Sequence, residues 1–294
     1  MAATTGLLLF LWVSPGAAQQ TKAAQQANSG DMVDGVAAAD KATAKKLRSE
    51  DNVALIGHRN VGHGLDFYSQ SKEIALGQSL AQQVMQTSTV ITDPVVNEYI
   101  NRLAQNLVRN SDAKVPFTVH VLQDDSINAF ALPGGFFFVN SGLILGVSEE
   151  DELAGAMAHE IAHVAARHGT RNATKGELMQ ILAIPAVIAA GPGVAGMGAE
   201  EAAGAIIPLQ FERFSRGAEE EADWLGTQYL WKAGYDPQGL ARAFEILESD
   251  EKEKPGMLSR MFASHPQTPD RVALTEKEIA TILPPRPEYI ITTS

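Results

Sequence analysis

Two histidines and a glutamate stand at a spacing that suits metal-assisted hydrolysis. His159 and His163 are four positions apart, and Glu160 directly follows the first of them, in an alanine-rich run without proline. Side chains four residues apart share one face of an α-helix, so both imidazoles can reach one Zn²⁺. Glu160 then stands where a carboxylate can accept a proton from a metal-activated water. The alternative is a helix with two solvated histidines.

A hydrolytic zinc site needs a third protein ligand and one position open to water. The acidic segment from Glu219 to Asp223 offers that ligand. Glu219 and Asp223 are four apart, which suits a ligand carboxylate together with a carboxylate that accepts a hydrogen bond from a ligand histidine. Glu220 and Asp223, three apart, also share a face, so spacing alone does not decide between Glu219 and Glu220. A solvated helix face is the alternative for the rest of the run.

Sequence signals mark both ends of the helix that carries the histidines. Ser148 and the acidic residues after it predict a capped start near Glu149, because carboxylates suit the positive end of a helix. The helix is predicted to run to about His168, with Gly169 as its stop. A second helix, which carries the acidic segment, is predicted to begin near Ser215 and to end at Gly234.

The other elements predict an α+β fold, mainly helical, with a small β-sheet beside the active-site helix. Asp93 followed by Pro94 marks a helix start. Phe117–Leu122 and Phe136–Val139 are predicted strands, and a Pro-Gly-Gly turn precedes the second. That second strand is either an edge strand, whose free backbone groups can pair with an extended peptide, or part of an ordinary core hairpin.

Composition excludes several functional classes. The chain has 294 residues, a formal net charge of −12 and no cysteine. The negative charge argues against nucleic acid as a partner, because binding to phosphates relies on lysine and arginine. Without cysteine there are no disulfides, thiolate metal ligands or cysteine nucleophiles.

The chain is predicted to have four parts. Residues 1–18 resemble a signal peptide, with a short apolar core and a small-residue cleavage site, and predict export to a periplasm. Residues 19–60 are predicted to be a flexible linker, 61–285 the catalytic domain and 286–294 a tail.

An apolar segment at residues 181–207 contains prolines and glycines and has no basic flanks. These features argue against a membrane span. Two short helices that cover the active-site cleft are the preferred interpretation, and a peripheral contact with a membrane surface is the alternative.

Four motifs in order resemble the M48 family of zinc metallopeptidases, which are gluzincins. They are Asn128–Asn140 (NAFALPGGFFFVN), His159–His163 (HEIAH), Ser215–Asp223 (SRGAEEEAD), and His265-Pro266 followed by Thr268 and Arg271. The resemblance implies a zincin-like domain that binds one Zn²⁺. It places the third ligand at Glu219 and the supporting carboxylate at Asp223. It also implies that a strand within Asn128–Val139 lines the substrate site, with Asn128, Ala129, Gly134 and Gly135 as the candidate contacts.

A developing oxyanion needs a hydrogen-bond donor besides the metal. His265 is the candidate donor, with Arg216 behind it. Because His265 precedes Pro266, it is predicted to lie in an extended loop. Such a loop can also bring His265 onto the metal as a blocking ligand, and a surface histidine in a turn is the remaining alternative.

Together these features predict a zinc-dependent endopeptidase that cleaves peptide bonds in unfolded or misassembled proteins. The resemblance implies envelope protein quality control in the periplasm, with possible peripheral membrane contact and no C-terminal tetratricopeptide array. The first alternative is a zinc-bound, chaperone-like assembly factor with latent peptidase activity. The second is a non-enzymatic envelope scaffold.

Overall fold

The computed structural model describes residues 49–178, 214–253, 265 and 271–290. A further helical stretch, at residues 168–178, follows the fourth helix below. The helices with defined bounds are α1 (Gln70–Thr87), α2 (Pro94–Arg109), α3 (Ser141–Gly146), α4 (Glu150–Ala165), α5 (Arg216–Ala233), α6 (Gln238–Glu253) and α7 (Arg271–Ile282). The strands are β1 (Thr118–Leu122), β2 (Ala129–Leu132) and β3 (Phe136–Asn140). The predicted signal peptide (1–18) and the apolar segment (181–207) lie outside the described residues.

The three strands form one sheet in the order β1-β3-β2. β1 is parallel to β3, and β2 is antiparallel to it. The strand predicted at Phe136–Val139 is therefore central, so its interpretation as an edge strand is wrong. The edge is β2, a strand that the sequence did not separate from the following turn. No described strand pairs with its outer side.

Helix α4 runs through the core beside this sheet. Every residue from Asp151 to Ala165 is buried, which fixes the direction of each side chain. The N-cap of the helix is Glu149, which forms a capping box with Glu152. The prediction that Ser148 caps this helix is wrong. It also ends earlier than predicted. Arg167 takes a left-handed conformation (φ 57°), and Gly169 already belongs to the next helical stretch.

Helix α5 packs closely against α4 and brings the acidic segment to the histidines. It is capped by the Ser215 side chain and stops at Gly234 (φ 101°), as predicted. Glycine permits the close packing of the two helices, because a Cβ at Gly226 would lie 3.1 Å from the Cα of His159. The mainly helical α+β fold with a small sheet beside the active-site helix is confirmed.

The segment before α1 differs from the predicted linker at its C-terminal end. Ile56 and Arg59 are buried, and Arg59 forms an ion pair of 2.6 Å with Asp112. Part of residues 49–60 thus contributes to the core. Among the described helices, none combines the length and apolar character needed to cross a bilayer.

Candidate active site

Two imidazoles and one carboxylate converge between α4 and α5. The Nε2 atoms of His159 and His163 are 3.0 Å apart. The Glu219 carboxylate lies 3.5 Å from Nε2 of His159 through Oε2 and 3.4 Å from Nε2 of His163 through Oε1. All three side chains are at most 2% exposed. Glu220, the alternative that spacing left open, is exposed.

The first histidine is oriented from behind by a carboxylate. Oδ1 of Asp223 lies 2.9 Å from Nδ1 of His159. Arg271 holds that carboxylate through two hydrogen bonds of 2.7 Å. Its Nη2 also lies 3.3 Å from Oε2 of Glu219. With a carboxylate at Nδ1, the Nε2 lone pair of neutral His159 faces the cluster, which is the tautomer that binds a metal.

The second histidine is held by aromatic rings. Phe214 stacks on the His163 ring with a centroid distance of 4.1 Å. His168 also contacts this ring, and its Nδ1 lies 2.9 Å from Nδ1 of His163. His168, where the sequence predicts the end of the helix, thus lies directly against a candidate ligand.

The cluster has the electrostatic character of a cation site. Lone pairs on two ring nitrogens and a carboxylate repel one another at these distances unless a positive charge lies between them. Burial disfavours the charged form of His159, but its hydrogen bonds with Asp223 and Glu219 outweigh this effect and raise its pKa to about 9. Burial lowers the pKa of His163 well below its ordinary value. The donor set, two imidazole nitrogens and one carboxylate, fits a divalent cation such as Zn²⁺.

Glu160 lies at the edge of the cluster and is 2% exposed. Its Oε2 accepts a hydrogen bond of 3.2 Å from the backbone N–H of Ala131 on β2. Its Oε1 lies 3.3 Å from Nε2 of His265. The carboxylate is therefore held between the edge strand and the cluster, outside the group of ligand atoms that converge.

His265 completes the cluster. Its Nδ1 lies 3.3 Å from Nε2 of His159 and 3.0 Å from Oε1 of Glu219. The side chain is 4% exposed, which excludes the alternative of a surface histidine. His265 joins His159, His163 and Glu219 in a group whose ligand atoms lie close enough to hold one metal ion.

A pocket opens beside this cluster and β2. Its lining includes residues 130–133 of the strand and the following turn, with Glu160, His163, Phe214 and His265. The candidate contacts Asn128, Ala129, Gly134 and Gly135 are not part of that lining, so their role in substrate binding remains a prediction that the pocket does not support.

The two glycines have a structural use. Both have positive φ angles, +76° at Gly134 and +88° at Gly135, which residues with a side chain rarely adopt. A Cβ at Gly134 would lie 2.7 Å from the Cα of Ile74. The turn therefore needs glycine in order to lie against α1.

The arginine that lies beside the cluster is Arg271 and not Arg216, the arginine proposed from the sequence. Arg216 is exposed in the first turn of α5, whereas Arg271 is buried beside Asp223 and Glu219. Arg271 had been noted as part of the fourth motif without a role. Glu221, expected on a solvated face, instead contacts His168. No local pattern marks either contact, because each joins residues far apart in the chain.

Comparison with known proteins identifies the family. The model of peptidase family M48 matches residues 92–279. The beta-barrel assembly-enhancing protease of Yersinia pestis is 33% identical over 217 residues, which is 70% of this chain and 43% of that protein. A relative from Vibrio cholerae serotype O1 that carries the same name provisionally is 37% identical over 224 residues, 73% of this chain and 45% of its own length.

A mitochondrial relative shares the same region. The mitochondrial metalloendopeptidase OMA1 of Schizosaccharomyces pombe is 30% identical over 182 residues, 61% of this chain and 52% of that protein. The aligned region thus spans about half of each of these relatives. The matched residues 92–279 include the whole cluster of His159, His163, Glu219 and His265. The chain belongs to peptidase family M48, as its four motifs predicted.

Proposed function

We propose that this chain is a zinc-dependent endopeptidase that hydrolyses peptide bonds. The observation that carries the proposal is the convergence of His159, His163 and Glu219 in a buried cluster, with a second carboxylate, that of Glu160, at its edge. A purely structural metal site does not require a base at that position. The membership of family M48 supports the same chemistry.

His159, His163 and Glu219 would hold the metal, while Asp223 and Arg271 fix the orientation of the first of these ligands. When bound there, Zn²⁺ would lower the pKa of a coordinated water and would polarise the substrate carbonyl. Glu160 accepts the proton of the attacking water and delivers it to the leaving amine. Its contact with the N–H of Ala131 keeps the carboxylate beside the strand along which the substrate lies.

The edge strand β2 is the proposed substrate-binding strand. The N–H of Asn140 bonds to the carbonyl of Asn128, and hydrogen bonding alternates along an antiparallel pair. Phe130 and Leu132 therefore bond to β3, while Ala131 directs its backbone outward, towards Glu160. An extended peptide that adds to this edge is recognised through its backbone, a mode that tolerates many sequences. Unfolded or misassembled proteins are the substrate class that offers such segments.

His265 fits a resting state. Its Nδ1 lies within 3.3 Å of the proposed ligands His159 and Glu219, so His265 would be a fourth ligand of a bound metal. In this position it would compete with water, and hydrolysis would require His265 to withdraw. After withdrawal the same imidazole can donate to an oxyanion, which makes the two predicted roles successive states of one residue.

A second candidate function follows from the engaged position of His265. An M48 protein held in that state binds zinc without rapid hydrolysis, as a chaperone-like assembly factor with latent peptidase activity would. Two relatives are named for beta-barrel assembly. Their names support a proposed role in envelope quality control and a periplasmic location, with or without peripheral membrane contact.

A single substitution tests the peptidase assignment. Glu160→Gln in the full chain should retain one Zn²⁺ per chain, because Glu160 is not a ligand. It should cleave fluorescently labelled casein, an unfolded substrate, about 100-fold or more slowly than the parent, since general acid–base catalysis contributes roughly 10²–10⁴-fold. Glu220→Gln, the same change at an exposed position, is the control and should match the parent. Equal cleavage by the Glu160 variant and the parent would refute the proposal.

A further inference from the structure

The ligand His163 is linked to a distant carboxylate through a second histidine. Nδ1 of His168 lies 2.9 Å from Nδ1 of His163, and Nε2 of His168 lies 3.2 Å from Oε2 of Glu221. His163 is 2% and His168 5% exposed, so water has little access to the contact between the two rings. Glu221 is on α5, between the ligand Glu219 and the supporting Asp223.

The direction of each hydrogen bond in this series follows from Glu221, the last residue in it. A carboxylate can only accept, so Nε2–H of His168 donates to Glu221. Neutral His168 then has its lone pair on Nδ1, which can only accept, and so Nδ1–H of His163 donates to it. Neutral His163 is left with its lone pair on Nε2, the atom that faces His159 and Glu219.

Glu221 is anchored as a hydrogen-bond acceptor. Its Oε1 accepts a hydrogen bond of 2.7 Å from the backbone N–H of Gly62. Its other oxygen, Oε2, faces Nε2 of His168. Gly62 has a φ of +79°, and a Cβ there would lie 2.2 Å from the carbonyl oxygen of Ala166. The loop that anchors Glu221 is thus closely packed against the end of α4.

The two histidine ligands are therefore oriented in different ways. His159 meets its carboxylate, Asp223, directly at 2.9 Å. Among the described residues, it is His168 and not a carboxylate that contacts Nδ1 of His163, and His168 gives the His163 ring the same hydrogen-bond direction. We propose that His168 and Glu221 are positioning residues that fix the metal-binding tautomer of His163, and thereby raise the affinity of the site for zinc. The inference rests on the proposed role of His163 as a metal ligand.

We call the series of contacts from His163 through His168 to Glu221 the relay. The protonation of the His163 ring nitrogens tests this relay without any measurement of activity. In metal-free protein at pH 8, ¹⁵N chemical shifts of labelled histidines should show protonated Nδ1 and unprotonated Nε2 at His163. His168→Phe retains a ring but removes both nitrogens, and Glu221→Ala removes the final acceptor. In each variant the His163 signals should shift towards a mixture of tautomers.

Zinc affinity, measured by competition with a chelator, should fall in both variants. The expected loss is roughly 10–100-fold, the usual effect of removing a group that orients a metal ligand. Glu220→Ala, a neighbouring exposed carboxylate on the same helix, is the matched control and should keep both the tautomer and the affinity.

The outcomes separate this inference from the proposed function. A parent that binds no zinc refutes the proposed metal site, whatever the tautomer of His163. A parent that binds zinc, together with variants that keep its His163 signals and its affinity, refutes the relay. If His168→Phe does not fold, Glu221→Ala decides alone, because the Glu221 side chain is 20% exposed and its removal leaves a smaller gap than the loss of a buried ring.

Discussion

Arg271 donates two parallel hydrogen bonds of 2.7 Å to Asp223, and this ion pair is buried beside the candidate metal site. Asp223 in turn lies 2.9 Å from Nδ1 of His159. The guanidinium also packs over the Phe244 ring at 4.2 Å, which fixes its plane. A residue on α7 therefore sets the position of a candidate metal ligand on α4, through a carboxylate on α5.

Replacement of Arg271 should weaken the metal site without touching a ligand. Arg271→Lys retains the charge but cannot form two parallel bonds to one carboxylate. We expect zinc affinity to fall roughly 10-fold or more, as measured by competition with a chelator. Arg286→Lys, at an arginine that stacks on Trp231, is the control and should leave zinc affinity unchanged. Equal affinities for both variants would contradict the role of the ion pair.

Removal of His265 should release the resting state. His265→Ala empties the place beside His159 and Glu219, where His265 lies within 3.3 Å of both. We expect a several-fold rise in the cleavage of labelled casein if withdrawal of His265 limits the rate. His58→Ala, at an exposed histidine, should have no effect. A large fall in activity with unchanged zinc content would instead assign His265 to the oxyanion alone.

The local parts of the site could be predicted from the sequence because each depends on neighbouring residues. The spacing of His159 and His163 fixes their shared face, and Gly234 ends α5 because it can adopt a positive φ. The Asp93 side chain caps α2, with Pro94 in its first turn. In each case one short stretch of chain contains all the interacting groups.

Contacts between distant residues could not be predicted in this way. The partners of Arg271 and Glu221 are far away in the chain, so nothing in the adjacent sequence distinguishes these residues from exposed charges. The strand β2 is short and merges with the turn after it, which concealed the true edge of the sheet. Arg167 ends the helical geometry after α4 where the pattern favoured Gly169, because tertiary contacts override local preference. In particular, its Nε donates to Oε2 of Glu73 at 2.9 Å.

The turn between β2 and β3 should be sensitive to any side chain at Gly134. Gly134→Ala places a Cβ 2.7 Å from the Cα of Ile74 and forces alanine into a positive φ of 76°. The combined cost is about 2–4 kcal/mol of the free energy of unfolding. Urea unfolding should show a lower midpoint for this variant.

The matched control is Gly217→Ala. Gly217 lies in the first turn of α5, and a Cβ there meets nothing within 4 Å. Alanine favours the helix by about 0.5–1 kcal/mol over glycine, so the control should raise the midpoint slightly. Opposite shifts would separate the effect of the turn from the general effect of removing glycine, whereas equal shifts would show that the turn tolerates a side chain.

Glu278 should make the stability of the protein depend on pH. Its side chain is 1% exposed on α7, and its Oε1 accepts a hydrogen bond of 3.0 Å from Nε2 of Gln228. Burial raises its pKa well above the ordinary value of 4.5, and the negative charges of Asp223 and Asp51 add to the shift. The folded protein thus binds this proton more tightly than the unfolded chain does.

The sign of the effect follows from the proton count. The stabilising contribution of protonated Glu278 is fully present below pH 4.5 and is lost as the pH rises towards the raised pKa of the folded state. The loss is at most about 1.4 kcal/mol per pH unit. Glu278→Gln has no proton to lose and can still accept the bond from Gln228.

The variant and the parent should therefore differ most at high pH. In urea unfolding at a series of pH values, Glu278→Gln should be more stable than the parent at pH 8, and the difference should shrink towards pH 4.5. Glu276→Gln, at an exposed position on the same helix, should follow the parent at every pH. A constant difference between Glu278→Gln and the parent across the whole range would mean that Glu278 does not bind a proton on folding, and that its carboxylate remains charged inside the protein.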